Sequence, residues 1–330
     1  MNRIYIDFTN YVEGKTAGAN YFSHRLLNIF NENKNYKIIV FVRNGQEIYF
    51  KKYKKFIRIC KLKFSSDLLI FTWKNFIFPL LSLRSDLVIF PHNIKPIIFF
   101  KKNILIVHDL NFLYFKNNFS SLKKRIIVII RKLSLLTSNV NITISNQIKN
   151  DIVYRYRRKT IRIYNSVKNT SKSKNFAEDI KKYKDIDYYL ILTSLGKHKN
   201  LNNCFEAIKN YHKNNGKYYF IFIGNWEKES FKKFANKKTI GYGYVTEEKK
   251  NVLIKYAKAI LIPSLYEGFG LPYIEAAFAK KTLIASRIPV VEELLNEYPI
   301  YIEDPYDPRE ILKALKIFEK TKSCKRFLSE

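Results

Sequence analysis

Pro263-Ser264-Leu265-Tyr266-Glu267-Gly268-Phe269-Gly270-Leu271-Pro272-Tyr273-Ile274-Glu275-Ala276 is the stretch on which the reading of this 330-residue chain turns. The apolar run 259–262 before it reads as a buried strand, and 272–279 reads as a helix. Two glycines in the turn between them let the backbone approach a ligand closely. A strand–turn–helix unit puts that turn at the carboxyl edge of a parallel sheet, where open α/β folds bind ligands. Amides around Gly270 to Tyr273, at the helix start, form a ready anion site suited to a diphosphate. Glu275 is expected in the first helical turn, where the helix dipole favours a carboxylate. Glu267 and Glu275 then flank the loop as two acceptors for sugar hydroxyls. The bland alternative is a strand–turn–helix unit with incidental carboxylates, and the residues alone leave both readings open.

Outward from this unit, strands and helices alternate. In the first half, 3–8, 37–42, 87–90, 104–107, 140–144 and 161–164 read as strands, and 21–30 and 122–136 as helices. Residues 165–187 are rich in Lys, Ser and Asn and suit a linker. A second series follows, with strands at 189–193, 218–223, 259–262 and 282–285 and helices at 200–210 and 247–257. Asp307-Pro308-Arg309-Glu310 starts a last helix, Asp307 capping it and Glu310 completing a capping box. Such alternation implies parallel sheets covered by helices on both faces. The fold class expected is α/β: two doubly wound Rossmann-like domains over 1–167 and 188–330, joined by a linker region over 168–187. A cleft between them is the natural ligand site.

Composition narrows the function classes. A 47% hydrophobic share supports real cores and excludes global disorder. Cys60, Cys204 and Cys324 show no metal or redox spacing and fit a reducing compartment. The apolar run at the N-terminus is too short for a signal peptide. Two apolar regions, 68–83 and 87–110, invite a membrane-span reading. The first carries Lys74 and Pro79, the second His92, Lys95, Pro96, Lys101 and Lys102, whereas a span wants about 20 mostly uncharged residues. Buried strands are expected in both.

Lys and Arg number 60 against 28 Asp and Glu, a formal charge of +32. Codon bias accounts for abundant lysine but less readily for scarce carboxylates. A basic surface attracts polyanions, either nucleic acid or an anionic membrane. The lysines are dispersed, form no recognised nucleic-acid module, and lack the planar fork of arginine. No specific nucleic-acid partner is therefore expected, and an anionic membrane surface is retained.

The unbroken string Glu-Gly-Phe-Gly-Leu-Pro-x-x-Glu-Ala, from Glu267 to Ala276, resembles the glutamate–seven–glutamate signature of the retaining nucleotide-sugar glycosyltransferases often grouped as family 4. Those enzymes have the two-Rossmann GT-B fold. The similarity extends to Gly241-Tyr242-Gly243-Tyr244-Val245-Thr246-Glu247-Glu248 and to Glu303-Asp304-Pro305-Tyr306-Asp307-Pro308. Leu195-Gly196-Lys197-His198-Lys199-Asn200-Leu201 is similar to the basic loop after the first strand of the family's second domain. In the first half, Thr16-Ala17-Gly18-Ala19-Asn20-Tyr21 resembles the glycine loop beside the diphosphate, and Ile106-Val107-His108-Asp109-Leu110 the strand-end His-Asp. Pro91-His92-Asn93-Ile94-Lys95-Pro96 resembles members acting on polysaccharide precursors, O-antigen mannosyltransferase-like enzymes among them.

The resemblance implies a catalytic set of Glu267, Lys199 and His108. Lys199 holds the donor diphosphate with Gly18, Gly268, Phe269, Gly270 and Leu271. Glu267 takes hydroxyls of the donor sugar, Glu275 takes the ribose, and His108 lies near the transferred sugar. An arginine commonly precedes the lysine, and here His198 stands instead, leaving Lys197 or Arg287 as a second cation. The resemblance further implies retention of anomeric configuration, no metal and no other cofactor. It makes a nucleotide sugar the donor and a saccharide or lipid-linked saccharide the acceptor, docked on the first half. The location implied is cytoplasmic, at the inner membrane face.

Each residue also has a structural reading. Lys199 is then a solvated lysine, His108 a core or capping histidine, and Asp109 the cap of the following turn. Asp185-Ile186-Asp187 mimics a metal-binding pair of another transferase fold but lies in the linker as solvated charge. Trp73 and Trp226 either bind acceptor or pack. At the level of the whole chain the rivals are a basic nucleic-acid-binding protein and another GT-B enzyme, a sugar-nucleotide epimerase or phosphorylase. An inactive relative acting as a subunit is a third.

Overall fold

The computed structural model describes residues 2–11, 17–32, 35–55, 57–115, 121–165, 186–194, 196–224 and 231–321. The chain divides into two compact units, 1–166 and 167–330. Most of the linker expected over 168–187 lies outside the described residues, as do Thr16, Asp185, Leu195, Trp226 and Cys324.

Among the described residues, the first unit holds seven parallel strands. They are β1 (Asn2–Asp7), β2 (Tyr36–Val42), β3 (Ile57–Lys61), β4 (Leu87–Phe90), β5 (Asn103–Val107), β6 (Val140–Thr143) and β7 (Thr160–Arg162). Their order is β3-β2-β1-β4-β5-β6-β7, so the winding reverses between β1 and β4. The second unit repeats the plan with β8 (Tyr188–Leu192), β9 (Tyr219–Ile223), β10 (Thr239–Gly243), β11 (Ala259–Ile262), β12 (Thr282–Ser286) and β13 (Ile300–Ile302). Here the order is β10-β9-β8-β11-β12-β13, with the reversal between β8 and β11. A crevice opens at the carboxyl ends of strands flanking such a reversal.

Every residue of β8 and β11 is buried. Successive strand residues point to opposite faces, which splits the core of the second unit into two layers. Tyr188, Leu190, Ile260 and Leu283 pack on one face with Leu253, Tyr273, Ala276 and Val290 of three covering helices. Tyr189, Ile191, Leu261 and Ile284 pack on the other with Cys204, Ala207, Ile208, Ile311 and Leu315. Burial on both sides explains why these strands read as continuous apolar runs.

Region 68–83 departs from expectation. It is helical, with α-helices Asp67–Thr72 and Phe78–Ser82 joined by a π-helical turn, Trp73–Ile77. Apolar residues cover both its sides, which erased the helical period from the sequence, and Pro79 falls in the first turn of Phe78–Ser82, where proline is tolerated. Region 87–110 does contain β4 and β5. Trp73 packs against Phe41 at 5.6 Å and Phe78 at 5.0 Å, a core role. At the last helix, Asp307 accepts from the Arg309 amide at 2.8 Å, but Glu310 pairs with Lys313 at 3.2 Å. Half of the expected capping box is therefore present. No described helix is long and apolar enough to cross a membrane.

Candidate functional site

In the second unit the loops that follow β8 and β11 leave neighbouring strands at the reversal point. Residues 193–200 contain a 3-10 turn, Lys197–Lys199, and residues 263–270 carry the glutamate–glycine turn. A backbone bond fastens one loop to the other, Leu265 N donating to His198 O at 2.7 Å. Asn200 ends the 3-10 turn in the left-handed region, φ 59°, and its side-chain amide donates to Pro305 O. Across the joined loops, Lys199 Nζ meets Glu267 Oε1 at 2.6 Å, with the two side chains 16% and 11% exposed. Two residues 68 positions apart are thus held as a half-buried ion pair.

Gly270 sets the geometry of the turn. It lies at φ 78°, and a Cβ there would sit 2.3 Å from the Tyr273 ring. A side chain is excluded by conformation and by space at once. The helix Leu271–Phe278 begins directly after it. Tyr266 and Phe269 are buried, Gly268 and Leu271 half-buried, so Phe269 has backbone to offer a ligand rather than its ring.

Glu275 does not sit in the first helical turn, which contains no acidic residue. The helix starts at Leu271, one residue ahead of Pro272, and this carries Glu275 beyond reach of the strongest dipole field. A lysine fixes it instead. Lys250, from the helix Glu247–Tyr256, approaches Glu275 at 2.9 Å and Glu247 at 2.8 Å. Burial pushes the Glu275 carboxyl above the ordinary range, against the pull of Lys250. Burial also works to lower Lys250, but the two glutamates outweigh it and lift the ammonium above its usual value. Lys250 escaped the sequence reading because its partner is 25 residues away on another helix. The i,i+3 spacing to Glu247 was its one local signal.

The candidates for a second cation separate. Arg287 is held by Glu303 at 2.6 Å and Glu292 at 3.0 Å and stacks on Tyr301, a structural commitment. Lys197 is exposed on the 3-10 turn.

In the first unit, three polar groups end the strands around the reversal. Asp7 closes β1 and forms a buried ion pair with Lys74 at 2.9 Å. His92 follows β4, with both ring nitrogens buried and lacking a hydrogen-bond partner among the described residues. His108 follows β5, with its ring centroid 6.5 Å from that of His92. Asn93, at φ 61°, stitches the two strand ends by accepting from the His108 amide at 2.7 Å and donating to Asp109 at 3.2 Å. His108 Nε2 lies 2.7 Å from Pro91 O. A carbonyl can only accept, so Nε2 carries the proton and Nδ1 keeps a lone pair, which is buried and unpartnered among the described residues. Burial holds the His108 pKa below its usual value, so the ring is neutral at pH 7. A neutral imidazole lone pair of this kind accepts a hydrogen bond from a hydroxyl. Asp109 also accepts from the Asn111 amide at 3.3 Å and pairs with Arg131 at 3.6 Å, a capping role. Gly18 is half-buried in the first turn of the helix Ala17–Glu32 rather than in the loop before it.

The sequence pattern of the family "Glycosyl transferases group 1" matches residues 172–329, the whole second unit within a few residues. The resemblance to the glycosyl transferases group 1 family thus covers just under half of the chain. Over 247 residues the chain is 27% identical to the O-antigen chain mannosyltransferase RfbU of Salmonella typhimurium, a match covering 72% of this chain and 65% of that protein. The match therefore spans just under two thirds of the relative's length. Among solved structures, sucrose-phosphate synthase from Thermosynechococcus elongatus superposes with a TM-score of 0.71 at 14% identity, covering 97% of this chain and 90% of that one. HepE of Anabaena, solved in complex with UDP and glucose, superposes at 0.68 and 13% identity with the same coverage. At such identities the likeness shows the fold, and the chain shares the GT-B plan of two doubly wound sheets.

Proposed function

We propose that the chain transfers a hexose-type sugar, with mannose the first candidate, from a nucleotide-sugar donor to a saccharide or lipid-linked saccharide. Transfer proceeds with retention of anomeric configuration, as a step in cell-surface polysaccharide assembly at the cytoplasmic face of a membrane. The observation that carries the reading is the Lys199–Glu267 pair, hung from the two strands at the reversal point and bounded by the Gly270 turn. The similarity to an O-antigen mannosyltransferase supports the sugar and the polysaccharide setting.

The chemistry follows from the charge that develops. Departure of a nucleoside diphosphate concentrates negative charge on the leaving oxygen, and a fixed cation there stabilises the transition state. Lys199 is such a cation, held in place beforehand by Glu267 so that little reorganisation is needed. Glu267 retains a second oxygen for a donor-sugar hydroxyl. Glu275, steadied by Lys250, is the acceptor for a ribose hydroxyl. His108 offers the Nδ1 lone pair to a hydroxyl of the transferred sugar, and Gly18 lets its helix start approach a phosphate. Because lysine supplies the leaving-group charge, no divalent metal is called for.

A panel of nucleotide sugars, screened by thermal shift and then by transfer to short saccharides, tests the reading. A site-specific donor raises the melting temperature by mass action, GDP-mannose being the first expected. A chain that no nucleotide sugar stabilises, and that transfers from none, would overturn it.

A further inference from the structure

The first unit carries an apolar face that its own core does not use. Along the helical run from Asp67 to Ser82, the side chains of Ile70, Trp73, Lys74, Phe78 and Ser82 are buried. On the other side stand Leu68, Phe76, Leu80 and Leu83, and the segment after β4 adds Ile98 and Phe100. These six are between 54% and 78% exposed. The helical run and the 97–100 segment form one surface. Ile97 N donates to Asn75 Oδ1 at 3.1 Å, and Phe78 stacks on Phe99 with centroids 6.1 Å apart. A helix facing water turns a polar side outward, whereas contiguous exposed apolar side chains mark a contact surface.

Charge identifies the partner. Lys63, Arg84 and Lys102 are exposed at the margins, with Lys101 half-buried. The two carboxylates between residues 63 and 102 are both engaged, Asp67 with Arg43 at 2.7 Å and Asp86 with the Arg3 amide at 2.7 Å. An apolar face bordered by cations complements a leaflet of anionic lipid, acyl chains receiving the side chains and headgroups the ammonium groups. A second copy fits less well, because it brings the same cations face to face in a chain of net charge +32. We infer that this face, centred on Phe76, Leu80 and Phe100, docks the protein on an anionic lipid surface. The inference deepens the proposed membrane-side setting and rests on it, while docking and donor binding are measured separately.

The test is flotation of the full chain with phosphatidylcholine vesicles, with and without phosphatidylglycerol, beside the double variant Phe76→Ser/Leu80→Ser and the single variant Phe100→Ser. The same preparations are checked for nucleotide-sugar thermal shift. Wild type is expected to float with the anionic vesicles and less so as salt rises, and the double variant to lose roughly tenfold or more in partitioning. All three should keep the nucleotide shift, since none of the substituted residues lies in the site. Equal flotation of variants and wild type overturns the inference, as does equal flotation on phosphatidylcholine alone. A concentration-dependent dimer that the substitutions abolish also overturns it by naming a second copy as the occupant. If flotation follows the expected pattern and no nucleotide shift occurs, docking stands and the donor reading falls.

Discussion

Lys250 stands 2.9 Å from Glu275 and binds it to the neighbouring helix. Burial pushes the Glu275 carboxyl up, and the Lys250 ammonium pulls against that shift. Replacing the lysine by methionine leaves the carboxylate half-buried without this cation. The expected result is a several-fold rise in KM for the donor with a smaller change in kcat, and a loss of about 1–2 kcal/mol in urea unfolding. A KM equal to wild type would separate Lys250 from donor recognition.

Removing Lys199 takes away the cation proposed to meet the leaving group. Lys199→Ala is expected to lower turnover on the order of 100-fold or more, a few kcal/mol of barrier. Glu267→Gln removes the charge that positions the lysine and should lower kcat as well. Wild-type transfer by both variants, measured at saturating donor, would sink the site assignment.

Gly270 and Gly45 make a controlled comparison. Both lie at positive φ, 78° and 83°, but a Cβ at Gly45 meets nothing within 4 Å while one at Gly270 runs into Tyr273. Gly45→Ala should cost about 1 kcal/mol from backbone strain, and Gly270→Ala clearly more. Denaturant melts of the two variants decide it, and equal losses would remove the packing argument.

The buried histidines tie stability to pH. Burial, then the proximity of His108 and Lys74, holds the His92 pKa well below 6.5. As pH falls through about 6.5, the unfolded chain takes up this proton before the folded one, so stability drops toward acid. Melting temperatures should decline below that pH, and His92→Met should flatten the decline. An unchanged acid slope in the variant would remove His92 as its source.

If Lys199 meets the leaving-group charge as proposed, transfer assayed with excess EDTA should match the untreated rate, the lysine standing where a divalent ion otherwise would. A loss of activity that magnesium or manganese restores would reverse that expectation.

The central strands and the site turn of the second unit were legible in sequence, for reasons visible in their residues. β8, β9 and β11 are apolar throughout, and the turn from Glu267 to Glu275 is local, so spacing alone describes it. What involved distant partners was hidden: the Lys250–Glu275 contact, the loop-to-loop bond at Leu265, and the commitment of Arg287 to Glu303. Edge strands β3, β10 and β13 were all illegible: Arg58 and Lys61 interrupt the apolar pattern of β3, Gly241 and Gly243 that of β10, and β13 has three residues. The stretch 68–83 misled for the opposite reason. With apolar side chains all round, its sequence carried no stripe to distinguish helix from strand.

The reversal between β8 and β11 has a consequence for how the protein comes to be competent. Sixty-six residues separate the ends of those strands, yet they lie side by side at the middle of the sheet. The two loops meet only once that long-range pairing is made, so the Lys199–Glu267 pair depends on the centre of the sheet and not on either loop alone.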